Sequence, residues 1–493
     1  MSLLLSAVKN NNPNQVQILL DIGHNVNEKD NAGETPLFYA AGQNLFEVAK
    51  LSIEHSAAIN TYNKKQETPL FYAALGDSPE VAKLLIEHGA DIDTISFYNL
   101  MLETPLFYAA RVNAYKVAKI LIEHGADVNF KDDYNNTPLI EAARQDSFKV
   151  ASLLIKKGAI VNLQNEKGIS PLYAAMTKNS FKIIELLITH GANTDYKDSE
   201  GNTHLFYATG EKSFDIAKLL IDHGVSVNEK NNKGETPLFY AAGRGSNELS
   251  KLLIDHGAFV NEKNDKGETP LFYATYKNSP EVSGLLMKYG AAVNEKDDKG
   301  ETPLFYAARV DAYKVANLLI EHGADVNIKN NAGETPLFYA AIKDSLDVAM
   351  LLVLNRADVN AKEIEYGNTS LFDAARENSY EVAKLLIEHG VSVNEKNNTG
   401  SSPLFYAAFG NSYEVAQLLI KHGADVNEKD DNGETPLFYG VYKYSYKVSR
   451  LLIKYGADVN IQNNDGVSPL DVVLYKNNKV LTKLLREAAG AGK

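Results

Sequence analysis

Apolar positions in this chain come in short helical clusters separated by polar turns. Leu139, Ala142 and Ala143 fall on one face of a helix, and Val150, Leu153, Leu154 and Ile155 do so again a few residues later. Thr137 and Pro138 open the first cluster, with Thr as a helix-capping residue and Pro pre-set for the first helical position. Asp146, a residue type that tolerates the left-handed conformation of helix ends, closes it, and Ser147 begins the second. Gly158 ends that second cluster, and Phe130 to Asn136 form the polar turn leading in. The pattern predicts helix, tight turn, helix, then an extended turn. The small alanines let neighbouring first helices approach closely.

The same grammar returns with a fixed beat. Its TPLFYAA-like opening recurs at Pro36, Pro69, Pro105, Pro138, Pro171, Pro237, Pro270, Pro303, Pro336, Pro403, Pro436 and Pro469. His204 and Ser370 hold the register without the proline. The spacing is 33 residues, except 36 between Pro69 and Pro105 and 34 between Pro336 and Ser370. Leu4 and Ala7 sit one period before Leu37 and Ala40, so the start of the chain reads as a first unit and the count is fifteen. A helix pair of this size cannot bury its apolar face alone, so the beat predicts an all-α stack with one continuous core. The expected divisions are a capping unit over 1–33, an array over 34–468, and a capping unit with a short tail over 469–493.

Composition narrows the chemistry. A net charge of -13 argues against a general affinity for nucleic acid or anionic membrane. Cysteine is absent, which removes disulfides, thiol nucleophiles and cysteine metal ligands. No apolar run approaches the ~18–20 residues that cross a bilayer. P-loop, GxGxxG, GxSxG and HExxH patterns are missing. Nine of the eleven histidines recur once per unit at the end of the second helix, as at His55, His88 and His124. That position suits a helix C-terminus and is too sparse for a shared ion. The expectation is no enzyme, no cofactor and no metal.

The run Asp30-Asn31-Ala32-Gly33-Glu34-Thr35-Pro36-Leu37 with Ala40-Ala41, and Leu84-Leu85-Ile86-Glu87-His88-Gly89-Ala90-Asp91, resemble the ankyrin repeat over residues 1–489. The resemblance implies an ankyrin-repeat solenoid of stacked helix-turn-helix units with projecting β-hairpin turns and a concave protein-binding face. One departure is consistent. The family's TPLH histidine is Phe here, as at Phe38, Phe71, Phe107 and Phe239, so stacked aromatic rings are expected in place of its hydrogen bonds.

By that resemblance, partners would touch the first helices and the hairpin tips. An acidic row (Glu34, Glu67, Glu103, Glu235, Glu268, Glu301, Glu334, Glu434) and a tyrosine row (Tyr39, Tyr72, Tyr108, Tyr207, Tyr240, Tyr273, Tyr306, Tyr339, Tyr406, Tyr439) map there, and both are also what copying of one unit would leave. Residues that change from unit to unit are better contact candidates: Arg111, Arg144, Tyr276, Arg309, Arg376, Phe409, Tyr442 and Tyr475. The insertion at 94–102 adds Phe97, Tyr98, Leu100 and Met101 as an apolar finger, either exposed or folded over adjacent tips. Segments 103–132 and 301–330 are nearly identical, which points to block duplication.

The expected function is non-covalent recognition of protein partners by a monomer. An almost pure array also resembles ankyrin proteins that intracellular bacteria or protists direct at host proteins, so the expected location is the cytoplasm, of the producing cell or of a host. The alternative is a substrate role. Asn129, Asn327, Asn360, Asn427 and Asn460 follow Asp-Val with Leu eight residues before, similar to the context an asparaginyl hydroxylase recognises in ankyrin repeats.

Overall fold

The computed structural model describes residues 2–96, 102–210 and 213–491. They hold thirty helices, α1 to α30 in chain order, arranged as fifteen pairs. First helices have seven or eight residues and second helices nine, apart from α30 (Lys479–Ala491) with thirteen. The chain divides into two compact units, Met1–Ser226 with α1 (Leu3–Lys9) to α14 (Phe214–Asp222), and Val227–Lys493 with α15 (Pro237–Gly243) to α30. Within each, first helix packs on first helix and second on second, so the core runs through the stack.

That core is the predicted one. Phe38, Phe71, Phe107, Phe239, Phe272, Phe305, Phe338, Phe372, Phe405 and Phe438 are fully buried, flanked by the two alanines of most first helices. Seven of these ten rings meet the tyrosine of the next unit edge-on, as in Phe38–Tyr72 (centroids 5.1 Å, planes at 89°) and Phe272–Tyr306 (5.2 Å, 87°). Such pairs add about 0.5–1.5 kcal/mol beyond the area they bury. The aromatic stack expected from the His-to-Phe departure is therefore a ladder that joins units.

The helix starts differ from expectation in one respect. Thr35 and its counterparts adopt the extended N-cap conformation before proline, but only Thr137, Ser170 and Ser468 among the first-helix openings after α1 accept a side-chain cap bond. Thr68, Thr104, Thr236, Thr269, Thr302, Thr335 and Thr369 are buried with hydroxyls that find no partner. Their carbonyls turn the chain instead, as in Phe38 N–H to Thr35 O at 3.0 Å. His204, standing where proline should, is buried and uses Nδ1 on Thr194 O at 3.1 Å, and burial holds its pKa down.

The junctions are tight turns rather than two-stranded hairpins. Asn63 Oδ1 accepts from the Lys65 and Glu67 amides, and the backbone closes Asn63 N–H on Glu67 O at 3.0 Å. Neighbouring tips share one backbone bond, such as Lys64 N–H to Ala32 O (2.9 Å) and Asp298 N–H to Lys266 O (2.9 Å). One bond per limb makes no ladder, and Ser96 with Glu103 is the one bridging pair among the described residues.

Candidate functional site

The acidic and tyrosine rows turn out to be each other's partners. Glutamates accept from the tyrosine hydroxyl of the next unit: Glu34 from Tyr72, Glu67 from Tyr108 (2.7 Å), Glu235 from Tyr273 (2.5 Å), Glu268 from Tyr306 (3.0 Å), Glu301 from Tyr339 (2.5 Å). Burial and the facing carboxylates push these phenols well above their ordinary range. A row that is hydrogen-bonded to its neighbour row is a device for holding units together before it is a contact surface.

The four arginines are engaged in the same way. Arg111 pairs with Glu103 and, at 3.0 Å, with Glu141, and its guanidinium lies over Tyr108. Arg144 takes the other oxygen of Glu141 at 2.9 Å and Asn136 at 3.1 Å. Arg309 holds Glu301 at 2.8 Å while its guanidinium sits between the rings of Tyr306 (4.8 Å) and Tyr339 (4.6 Å). Arg376 bridges Asp373 (3.0 Å) and Glu377 (2.9 Å). The duplicated segments thus differ through their neighbours: where Arg111 meets Glu141, Arg309 meets Tyr339.

The aromatic candidates are presented outward. Tyr475 is 92% exposed, Tyr276 64% and Phe409 42%. Tyr276 edges a pocket of about 280 Å³ shared with Lys266, Glu268, Tyr273 and Tyr306. Lysines of the following unit cover Phe409 and Tyr442: Lys443 Nζ lies 4.3 Å from the Phe409 ring, and Lys476 Nζ 5.3 Å from that of Tyr442. Tyr442 is half-buried and donates to Glu434. The outcome is a cation-aromatic ladder at the first-helix ends of residues 409–476.

Tyr444 belongs to that ladder and was not singled out. It is 50% exposed, and Lys476 Nζ lies 5.5 Å from its ring. Its φ is +58°, in the turn where other described units place Asn, Asp or Gly, as at Asn378, Asn411 and Asp344. An aromatic residue there carries backbone strain of about 1 kcal/mol. It also gives up a bond, since Asn378 Oδ1 accepts from Val415 N–H and Asp344 from Val382 N–H. The readable signal is a Tyr at a turn position that, Lys212 apart, is otherwise Asn, Asp or Gly in the sequence.

The asparagines of the extended turns clamp successive units. Asn129 donates to Gly158 O (3.2 Å) and accepts from Ile160 N–H (2.9 Å); Asn327 spans Arg356 O and Asp358 N–H, and Asn427 spans Gly456 O and Asp458 N–H. Asn60, Asn162, Asn261 and Asn394 do the same without a preceding Asp-Val. Asn360 and Asn460 are exposed and make no such clamp. Eight of the recurring histidines, including His88 and His322, donate Nδ1–H to the carbonyl four residues back.

Phe97, Tyr98, Leu100 and Met101 lie outside the described residues; the flanks meet where Ser96 N–H bonds Glu103 O at 2.9 Å. Among the described residues no group of His, Cys, Asp and Glu is arranged to hold a metal ion, and no helix is long and apolar enough to cross a membrane.

Among curated proteins nothing matches the chain. The family model described as ankyrin repeats (3 copies) matches residues 4–96, 97–165, 158–231, 224–297, 257–330, 282–363, 327–397, 358–430 and 404–492, overlapping windows that run nearly end to end. With the helix pairs, the shared Thr-Pro-Leu openings and the clamped turns in the same register, the chain belongs to the ankyrin repeat family.

Proposed function

We propose that this protein recognises partner proteins without catalysis, and that contact centres on the first-helix ends of the second unit. Ankyrin repeats are generic protein–protein interaction modules. The observation that carries the finer reading is the exposed ladder of Phe409, Lys443, Tyr442, Tyr444, Lys476 and Tyr475. Rigid aromatic side chains supply contact area at low entropic cost, and the interleaved lysines orient an approaching surface. Tyr276 and its pocket extend the same face. Arg309 and Arg376 order that face through ion pairs and leave part of each side chain for contact, and Arg111 and Arg144 do the same for the first-helix ends of the first unit. The apolar insertion at 94–102 is a second contact point. The partner is a protein, the free form a monomer, and the setting the cytoplasm of the producing cell or of a host.

A pull-down that compares the wild type with Phe409→Ala, Tyr442→Ala and Tyr475→Ala combined tests this. Loss of specific captured proteins supports it; an unchanged set overturns it.

A second reading, the hydroxylase substrate, gains from one observation. Asn360 and Asn460 lack the clamp that engages Asn129, Asn327 and Asn427. Incubation with an asparaginyl hydroxylase followed by intact-mass and peptide mapping should find added oxygen at these two first. No added mass removes the reading.

A further inference from the structure

The second helices carry a built-in comparison. In α6 (Pro79–Glu87), α8 (Tyr115–Glu123), α16 (Asn247–Asp255) and α24 (Tyr380–Glu388) a lysine is paired with an acid four residues on: Lys83–Glu87, Lys119–Glu123, Lys251–Asp255 and Lys384–Glu388. In α28 (Tyr446–Lys454) the same two positions are Arg450 and Lys454. Opposite charges at this spacing stabilise a helix and like charges oppose it. A repeat that abandons the pair does so at a cost to its own helix.

The abandoned pair lines a groove. Between α26 (Tyr413–Lys421) and α28 lies a cavity of about 600 Å³ bounded by Tyr413, Glu414, Tyr446, Lys447, Arg450 and Lys454. Lys447, Arg450 and Lys454 stand at i, i+3 and i+7, so all three share one helical face. None of them is within ion-pair distance of a carboxylate, among the described residues. The groove's one acid, Glu414, is held by Asn378 Nδ2 at 2.7 Å, which lowers its pKa. Around it the charge is local and reversed: residues 440–486 contain eight Lys and Arg against three Asp and no Glu, in a chain of net charge -13.

We infer that this groove docks an acidic segment of a partner protein, on the second-helix side and separate from the first-helix ladder. Seven residues of helix rise about 10 Å, and alternate side chains on one face of an extended chain are about 7 Å apart. Two or three carboxylates on one edge of an extended Glu- or Asp-rich segment therefore reach Lys447, Arg450 and Lys454 together. The rings of Tyr413 and Tyr446 flank its backbone. A long nucleic acid would leave this short basic patch and meet the acidic remainder of the chain, which favours a protein segment.

The test uses the full chain and a fluorescein-labelled oligoglutamate peptide, read by anisotropy. Lys454→Glu is the informative variant, because it places an acid four residues after Arg450 and so restores the cation–acid pairing of the sister helices. Its thermal midpoint should be no lower than the wild type's, while peptide affinity falls roughly tenfold and the salt dependence weakens. Arg450→Glu should weaken binding similarly, and Tyr475→Ala, on the first-helix face, should leave it unchanged. Equal affinity of wild type, Lys454→Glu and Arg450→Glu overturns the inference, as does absence of peptide binding at low salt. Tighter binding of a single-stranded oligonucleotide of equal charge also overturns it.

Discussion

The helix pairs at 370–388 and 436–454 hold the same place in the period, two repeats apart, and share the large apolar residues of their interior, while the small ones change from Ala374, Ala375 and Ala383 to Gly440, Val441 and Ser449. Phe372 and Phe438, Val382 and Val448, and Leu386 and Leu452 are all fully buried. Outside that core they diverge at almost every polar position. Asp373 becomes Tyr439, Arg376 Tyr442, Glu377 Lys443, Asn378 Tyr444, Glu381 Lys447 and Glu388 Lys454. The first pair keeps its cations occupied, Arg376 by Asp373 and Glu377, Lys384 by Glu388. The second pairs none of its cations with a carboxylate among the described residues, sets Lys443 over the Phe409 ring, and adds a strained aromatic turn at Tyr444. Stacking explains what the two share. It does not explain what separates them, and the separating residues line the two surfaces proposed for partners.

The comparison can be broken at its foundation first. Phe372→Ala and Phe438→Ala should each cost about 3–4 kcal/mol in urea unfolding. Losses that differ by half or more would mean the two cores are not equivalent.

A pH titration probes the next largest difference. Burial raises the Asp373 carboxyl to about 7, against ~3.9 in an unfolded chain. The folded state then binds this proton more tightly, so its contribution is fully present below about pH 4 and is lost as pH rises through 7. Tyr439, at the matching position, is pushed up to about 12 and has no such window. Asp373→Asn should therefore stabilise by about 2 kcal/mol at pH 8 and by little at pH 4. Equal effects at both values would remove the titration argument.

The turn comes third. Tyr444→Asn should stabilise by about 1 kcal/mol by relieving the left-handed strain. The reverse change, Asn378→Tyr, should cost about 1–2 kcal/mol because Val415 N–H also loses its acceptor. If Tyr444→Asn proves neutral or harmful, the aromatic turn is not a stability sacrifice. The smallest effect concerns the helix charges: Lys454→Glu should gain and Glu388→Lys lose about 0.3–0.5 kcal/mol. Identical signs would erase the contrast between α24 and α28.

Much of this is legible in the sequence. Leu, Phe and the two alanines at fixed spacing marked the first-helix core, and Val with Leu-Leu marked the second. Variation between units points to Tyr276, Phe409 and Tyr475, and they are exposed. The same variation points to Arg111, Arg144, Arg309 and Arg376, and there the rule is incomplete. A position also varies when its local carboxylate varies, as Glu141 and Asp373 do beside Arg111 and Arg376. Tyr444 is legible only when the turn position is compared unit by unit, because its neighbours in the turn are those of an ordinary unit.

The linear order alone determined the period, the helix pairs and the identity of the core, because a helix buries whatever recurs on one of its faces. It also placed Glu, Tyr and Phe in parallel rows. Only the tertiary structure decided that these rows belong to one another. Glu301 and Tyr339 are 38 residues apart in sequence and 2.5 Å apart in space, and Asn129 reaches the backbone of the following unit. Such bonds depend on how closely one unit settles on the next. That distance comes from the packing of both units together, and it leaves some side chains tied and others free.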